Sequence, residues 1–164
     1  MRVVAGELRG RRVEAPPGYE VRPTTDKVRQ AVFNSLGSLD LLRDATVADL
    51  FAGSGALGIE ALSRGAAHCT FVERDRTALR TLKGNLDHLD LGDRSRVIAG
   101  DAMAHVRTLD VDLVLADPPY QFDDWLTLLQ SITAPFVVPQ AGRSLEDLDG
   151  SPAPPASSSG PADS

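Results

Sequence analysis

A chain of 164 residues, 42% hydrophobic and 24% charged, is long enough for one domain around a single buried core and too short for two. No stretch approaches the ~20 apolar residues of a membrane span, and Met1–Glu7 lacks the apolar run of a secretory signal. The lone cysteine, Cys69, excludes an internal disulfide framework and fits a reducing cytoplasm, while a net charge of −6 counts against a nucleic-acid binder.

That charge is uneven. Arg2, Arg9, Arg11 and Arg12 face only Glu7 within the first dozen residues, and Arg22, Lys27 and Arg29 follow. A charge run alone reads most simply as a solvated surface. The sharper reading is a basic patch beside a pocket, because phosphate contacts depend on local charge. Residues 1–21 are expected to form a short β-hairpin or arm, turning at Gly6 and Gly10 and ending at Pro16-Pro17-Gly18. Thr24 or Thr25 can cap a helix with Asp26 in its first turn, Val28, Ala31, Val32 and Leu36 on its apolar face, and Gly37 as its stop.

From residue 46 strands and helices alternate. Strands are expected at Thr46–Phe51, Cys69–Glu73, Arg96–Ala99 and Val111–Ala116, and helices at Ala56–Ser63, Thr77–Leu89, Asp101 to Val106 and Asp124–Ile132. Phe136-Val137-Val138 could add a fifth strand. Such alternation predicts an α/β fold, a mostly parallel sheet with helices on both faces and a ligand at the carboxyl ends of its strands. Three segments result: a basic arm and helix (1–45), a catalytic domain (46–138) and a Pro/Ser-rich tail (139–164). Within the tail, Gly150–Ser164 carries no Leu, Ile, Val or Phe and is expected to be disordered.

Gly53-Ser54-Gly55-Ala56-Leu57-Gly58 places three glycines between a strand and a helix, so that backbone can approach a ligand closely. Glu73, at the end of the next strand, can accept from both ribose hydroxyls of a nucleoside cofactor. Asp49 would repel a pyrophosphate but attract the amino group of a methionine moiety. Asp101 can accept from an adenine amine. Three acids at successive strands suit a cationic adenosyl ligand, S-adenosylmethionine, better than a nicotinamide dinucleotide.

The fourth strand runs into Asp117-Pro118-Pro119-Tyr120. The prolines remove two backbone donors and leave carbonyl acceptors. Asp117 and the Pro118 carbonyl can take the two protons of an exocyclic NH2, and Tyr120 offers a face for an extruded base. The bland alternative is a proline turn with an aromatic packed beneath it. His68, His88 and His105 lack metal-ligand spacing, Cys69 reads as a small core residue and Trp125 as packed on the sheet, so no metal is expected.

With these residues, the chain resembles class I methyltransferases bearing the (D/N)-P-P-(Y/F/W) amino-methyltransferase signature. More closely it is similar to the bacterial RsmD-type family of 16S ribosomal RNA guanine-N2 methyltransferases. The resemblance runs from Met1 to about Leu129, through Leu8–Arg12, Arg22-Pro23-Thr24-Thr25-Asp26-Lys27-Val28-Arg29, Phe33-Asn34, Phe51–Ala66, Glu73, Asp101-Ala102 and Asp117–Tyr120. It implies a Rossmann-like fold with S-adenosylmethionine held by Asp49, Phe51, Gly53, Ser54, Gly55, Gly58, Glu73, Arg74, Asp101 and Ala102. Catalysis falls to Asp117, Pro118, Pro119 and Tyr120, and RNA contact to Arg9, Arg11, Arg12, Arg22, Thr24 and Thr25.

The implied acceptor is a guanine in small-subunit RNA or the assembled 30S subunit, acted on by a cytoplasmic monomer. Rival acceptors are adenine N6 in DNA or a glutamine amide; a non-catalytic RNA- or cofactor-binding remnant and a nicotinamide oxidoreductase are further alternatives. One departure stands out. Family members continue past the fifth strand into an antiparallel strand pair, where this sequence becomes Pro-, Ser- and Ala-rich, so an exposed sheet edge, lower stability and impaired activity are expected.

Overall fold

The computed structural model describes residues 1–17, 23–118, 123–132 and 137–139. Five helices and five strands follow in the order α1 (Pro23–Ser38), β1 (Thr46–Leu50), α2 (Ala56–Ser63), β2 (His68–Glu73), α3 (Arg76–His88), β3 (Ser95–Ala99), α4 (Ala102–His105), β4 (Leu113–Ala116), α5 (Trp125–Ser131) and β5 (Val137–Pro139). All neighbouring strands pair in parallel, in the order β3-β2-β1-β4-β5. The direction of sheet growth therefore reverses between β1 and β4, the position where open α/β sheets bind ligands.

Because the strands are short apolar runs, both faces bury side chains. Val47, Cys69, Phe71, Leu113 and Leu115 join one cluster with Phe33 and Leu36 of α1, Ile59 and Leu62 of α2, and Leu79, Leu82 and Leu86 of α3. Their sequence neighbours Ala48, Leu50, Val72, Val114 and Ala116 point the other way, against Ala102 of α4, Val106 and Leu128 of α5. This period-two alternation, with helices on either side, is the expected α/β architecture. Cys69 is fully buried, as a small core residue.

The amino-terminal arm folds back on itself. Arg2 and Arg12 form an antiparallel bridge, and Val3 N–H donates to the Arg11 carbonyl at 2.9 Å. Val3 and Val13 sink into the same cluster as the helices, so the arm shares the core of the sheet. Residues 18–21, the end of the expected arm, lie outside the described residues.

Element edges differ from the sequence reading where end chemistry was hidden. Helix α1 opens on Pro23, so Thr24 and Thr25 fall inside its first turn and neither is the cap; proline suits a first helical position because its missing N–H is not needed there. Nor does Gly37 stop the helix. It runs to Ser38, and Asp40 takes the left-handed position (φ 56°) while Leu41 N–H donates to Leu36 O and Asp40 N–H to Gly37 O. Asp90 (φ 56°) ends α3 in the same way. Phe51, expected as the last residue of the first strand, has left it for left-handed backbone (φ 57°). The fourth strand is shorter than expected, Leu113–Ala116, with Val111 and Asp112 ahead of it. Pro139 belongs to β5, and the tail beyond it lies outside the described residues.

Candidate functional site

Four acids sit at or near the carboxyl ends of four adjacent strands: Asp101 after β3, Glu73 on β2, Asp49 on β1 and Asp117 after β4. Asp49 lies opposite Phe71 on one side and Leu115 on the other, which places its carboxyl in apolar surroundings facing α2. It is 1% exposed. One oxygen accepts from Gly58 N–H at 3.0 Å, and the other, Oδ1, has no partner among the described residues. Burial raises this carboxyl well above its ordinary pKa; the Gly58 N–H opposes the rise, and the charges of Asp117 and Glu73 add to it.

The glycine loop is held against this acid by packing. A side chain on Gly58 would meet Phe71 at 2.4 Å and Cys69 Sγ at 2.7 Å, so only glycine lets α2 approach β2 and present its N–H to Asp49. Gly55 caps α2 in left-handed backbone (φ 84°), where a Cβ would also strike Leu82 at 2.4 Å. Phe51, just ahead of the loop and lacking glycine's freedom, holds a conformation found mainly where surrounding structure enforces it. It packs half-buried on the cluster around Leu50 and Val72.

Glu73 ties the loop to the second strand. Its Oε1 accepts from Gly53 N–H at 2.9 Å, and its Oε2 from Arg74 N–H at 2.7 Å and Asp75 N–H at 2.9 Å. A carboxylate offers about four lone-pair sites, so roughly one acceptor position is left for a ligand hydroxyl. Arg74 contributes a backbone donor to this network and has an exposed side chain. Asp101 caps α4, accepting from Met103 N–H at 3.3 Å, and stays exposed; Ala102 is buried behind it.

Asp117 lies one strand from the glycine loop, its N–H directed at the Leu50 carbonyl at 3.5 Å. The residue is exposed, yet desolvation by the protein bulk around it pushes its carboxyl up to about 6. Pro118 is buried beside it. Pro119 and Tyr120 lie outside the described residues, as does Arg22; Thr24 and Thr25 are placed as backbone only.

The arm arginines Arg9, Arg11 and Arg12 lie apart from the strand ends, all exposed. Arg11 donates to the His88 carbonyl at 3.2 Å and Arg12 pairs with Glu14 at 2.9 Å. Among the described residues no cluster of three or more His, Cys, Asp or Glu could hold a metal, and no helix is long and apolar enough to cross a membrane.

Sequence reading missed Asn85. This buried amide donates to Ser54 O and Glu14 O and accepts from Glu14 N–H, each at 2.9 Å, joining the arm to the glycine loop. A signal was present: a lone amide on the apolar stripe of Leu79, Leu82, Leu86 and Leu89.

A model of the family described as conserved hypothetical protein 95 matches residues 1–141. YlbH of Bacillus subtilis is 43% identical over 137 residues, covering 80% of this chain and 73% of that protein. Ribosomal RNA small subunit methyltransferase D of Escherichia coli K12 is 42% identical over 123 residues, covering 74% of this chain; the chain thus spans 61% of that enzyme's length. The solved structure of yhhF from Escherichia coli superposes with a TM-score of 0.70 at 39% identity, covering 80% of this chain and 71% of that one. HI0767 from Haemophilus influenzae gives 0.67 at 29% identity, covering 88% and 84%. The fold is that of the class I methyltransferases, and the chain belongs to the family of the small-subunit ribosomal RNA methyltransferases D.

Proposed function

We propose that this chain transfers a methyl group from S-adenosylmethionine to the exocyclic N2 of a guanine in small-subunit ribosomal RNA, as a monomer acting on RNA within the 30S subunit. The observation that carries the reading is the placement of Asp117 and Pro118 one strand from an acidic glycine-loop cradle, where the sheet reverses. The buried Asp49 Oδ1, without a partner among the described residues, calls for a cationic N–H donor, which the ammonium of S-adenosylmethionine supplies and a dinucleotide's phosphates do not.

When bound, the cofactor supplies an electrophilic methyl on a sulfonium. Asp49 anchors its amino end, Glu73 offers its remaining acceptor position to the ribose, and Asp101 takes the adenine amine. Phe51, Ser54, Arg74 and Ala102 complete the cradle. Asp117 and the Pro118 carbonyl accept the two N2 protons, keeping electron density on nitrogen and aligning its lone pair with the methyl. On accepting the methyl, the nitrogen would lose one of these protons to Asp117. A carboxyl near 6 is matched to hold it at neutral pH. In the Asp117-Pro118-Pro119-Tyr120 signature, the role of stacking on the base would fall to the Tyr120 ring. The family relationship supports the acceptor, as does the name of the Escherichia coli relative, a small-subunit RNA methyltransferase.

Labelled S-adenosylmethionine offered with undermethylated small subunits, free RNA, DNA and protein tests this directly, with label expected in small-subunit RNA as N2-methylguanine. Asp117→Asn should lower turnover about 10²–10³-fold while leaving cofactor binding unchanged. Turnover of the unsubstituted chain should rise with pH through about 6 as Asp117 ionises. Label only in DNA or protein would sink the acceptor, and full turnover by Asp117→Asn would remove that residue from the chemistry.

A further inference from the structure

Away from the strand ends, a groove of about 580 Å³ runs between the arm and α3, walled by Arg12, Ala15 and Pro17 on one side and by Thr81, Gly84 and His88 on the other. Glu14 and Asn85 also line it, and the Asn85 amide reaches Ser54 O, so the inner wall stands one hydrogen bond from the glycine loop.

Its charge is opposite to that of the chain. Residues 1–17 and 76–88 hold seven of the 17 Lys and Arg and only three of the 23 Asp and Glu, which turns a net charge of −6 into a local surplus of cations. Helical spacing arranges them. Arg76, Arg80 and Lys83 follow one another at four and three residues along one exposed stripe of α3, beside the uncharged stripe of Thr77, Thr81, Gly84 and His88. Arg12 lines the facing wall, and Arg11 reaches the His88 carbonyl at the end of α3. Thr81, Gly84 and His88 give the α3 side an uncharged floor beside a cationic stripe, complementary to a sugar–phosphate strand, with Glu14, paired to Arg12, as the acid in the described lining.

Gly84 adds a separate argument. Glycine in the interior of an exposed helix is destabilising relative to alanine. Here a side chain would meet nothing within 4 Å among the described residues, so no contact with them requires glycine. A glycine here keeps the groove floor low. Among the described lining residues the only aromatic ring is the His88 imidazole, so the surface offers backbone phosphates more charge than it offers bases stacking area.

We infer that the arm–α3 groove is a second contact surface for the substrate RNA, gripping a sugar–phosphate strand between Arg11 and Arg12 on one rim and Arg76, Arg80 and Lys83 on the other, over Gly84. This rests on the RNA reading above, but concerns residues other than those assigned to the methyl-transferring site.

The test compares the unsubstituted chain with Gly84→Leu, which fills the groove, and with an Arg80→Glu/Lys83→Glu double variant. Methyl transfer to undermethylated small subunits, direct binding of 16S RNA by fluorescence anisotropy, S-adenosylmethionine binding by calorimetry and Tm are measured for each. Gly84→Leu should raise Tm, leave cofactor binding unchanged and raise KM for subunits about tenfold. The double variant should weaken RNA binding and lower the salt slope of log affinity by about 2. Transfer by the parent chain with unaltered KM and RNA affinity in both variants would remove the groove and leave the enzymatic reading standing. RNA binding that the variants weaken, with no transfer by the parent, would keep the groove and remove that reading. Failure of the parent chain to bind RNA would overturn both.

Discussion

Two carboxylates eleven positions apart are buried almost equally, and their surroundings give them opposite roles. Glu60, 2% exposed on α2, accepts from Val4 N–H at 2.8 Å, Ala5 N–H at 3.3 Å and Arg64 Nε at 3.0 Å. Arg64 in turn stacks over Phe33 and donates to Asn34 of α1. Arm, α1 and α2 thus meet around a charge whose oxygens are both engaged. Asp49, 1% exposed on β1, has a single N–H partner and an oxygen with none among the described residues. Buried charge that is fully hydrogen-bonded belongs to the architecture. Buried charge left short of partners has a place for a ligand, and here it lies beside the glycine loop.

The strongest way to sharpen this contrast is to remove the satisfied acid. Glu60→Ala strands the Arg64 guanidinium and two backbone donors of the arm, so it should cost about 3–5 kcal/mol of stability. Denaturant titration reads this, and a loss near zero would mean that the arm docks without its charge. Asp49→Asn should behave in the opposite way. Because burial raises the Asp49 pKa in the folded chain, the stability this group contributes is present at low pH and is lost as pH rises above the ordinary carboxylate range. Removing the charge should therefore leave Tm at pH 7 unchanged or higher, while S-adenosylmethionine binds about 10–100-fold more weakly. Calorimetry in buffers of differing ionisation enthalpy should also show protons released when the cofactor binds the unsubstituted chain. An unchanged affinity in Asp49→Asn would break the contrast.

The smallest effect concerns an acid that is neither buried nor in the site. Asp90 is exposed, holds left-handed backbone and places a negative charge at the carboxyl end of α3. Asp90→Gly should raise stability by about 1 kcal/mol without touching cofactor affinity. A fall in Tm would show that the carboxylate makes a compensating contact.

How much of this was legible beforehand follows from which interactions are local. Strand and helix order came through because Val47–Leu50, Phe71-Val72 and Leu113–Ala116 are short apolar runs between turn residues, and the parallel sheet that this pattern predicts is the one formed. The acids were visible because they fall at strand ends, and strand ends are a local property. Helix stops were harder. Gly37 looked like a stop by composition, whereas the left-handed position went to Asp40, which tolerates it without announcing it. Least legible were the partners of polar groups across the fold. Nothing near Glu60 in sequence shows that its oxygens reach Val4 and Ala5, fifty-five and more residues away. Likewise Glu73 looks like a ribose ligand from its position alone, and only the folded chain shows three backbone amides already drawing on it.

Asn85 carries a consequence for the order of events. One side-chain amide holds both Glu14, at the edge of the arm, and Ser54, in the glycine loop. This amide is therefore a direct physical link between the two ends. Thermodynamic linkage then requires symmetry: if cofactor on the loop favours RNA along the arm by some factor, RNA favours cofactor by the same factor. Neither partner can be the sole regulator of the other.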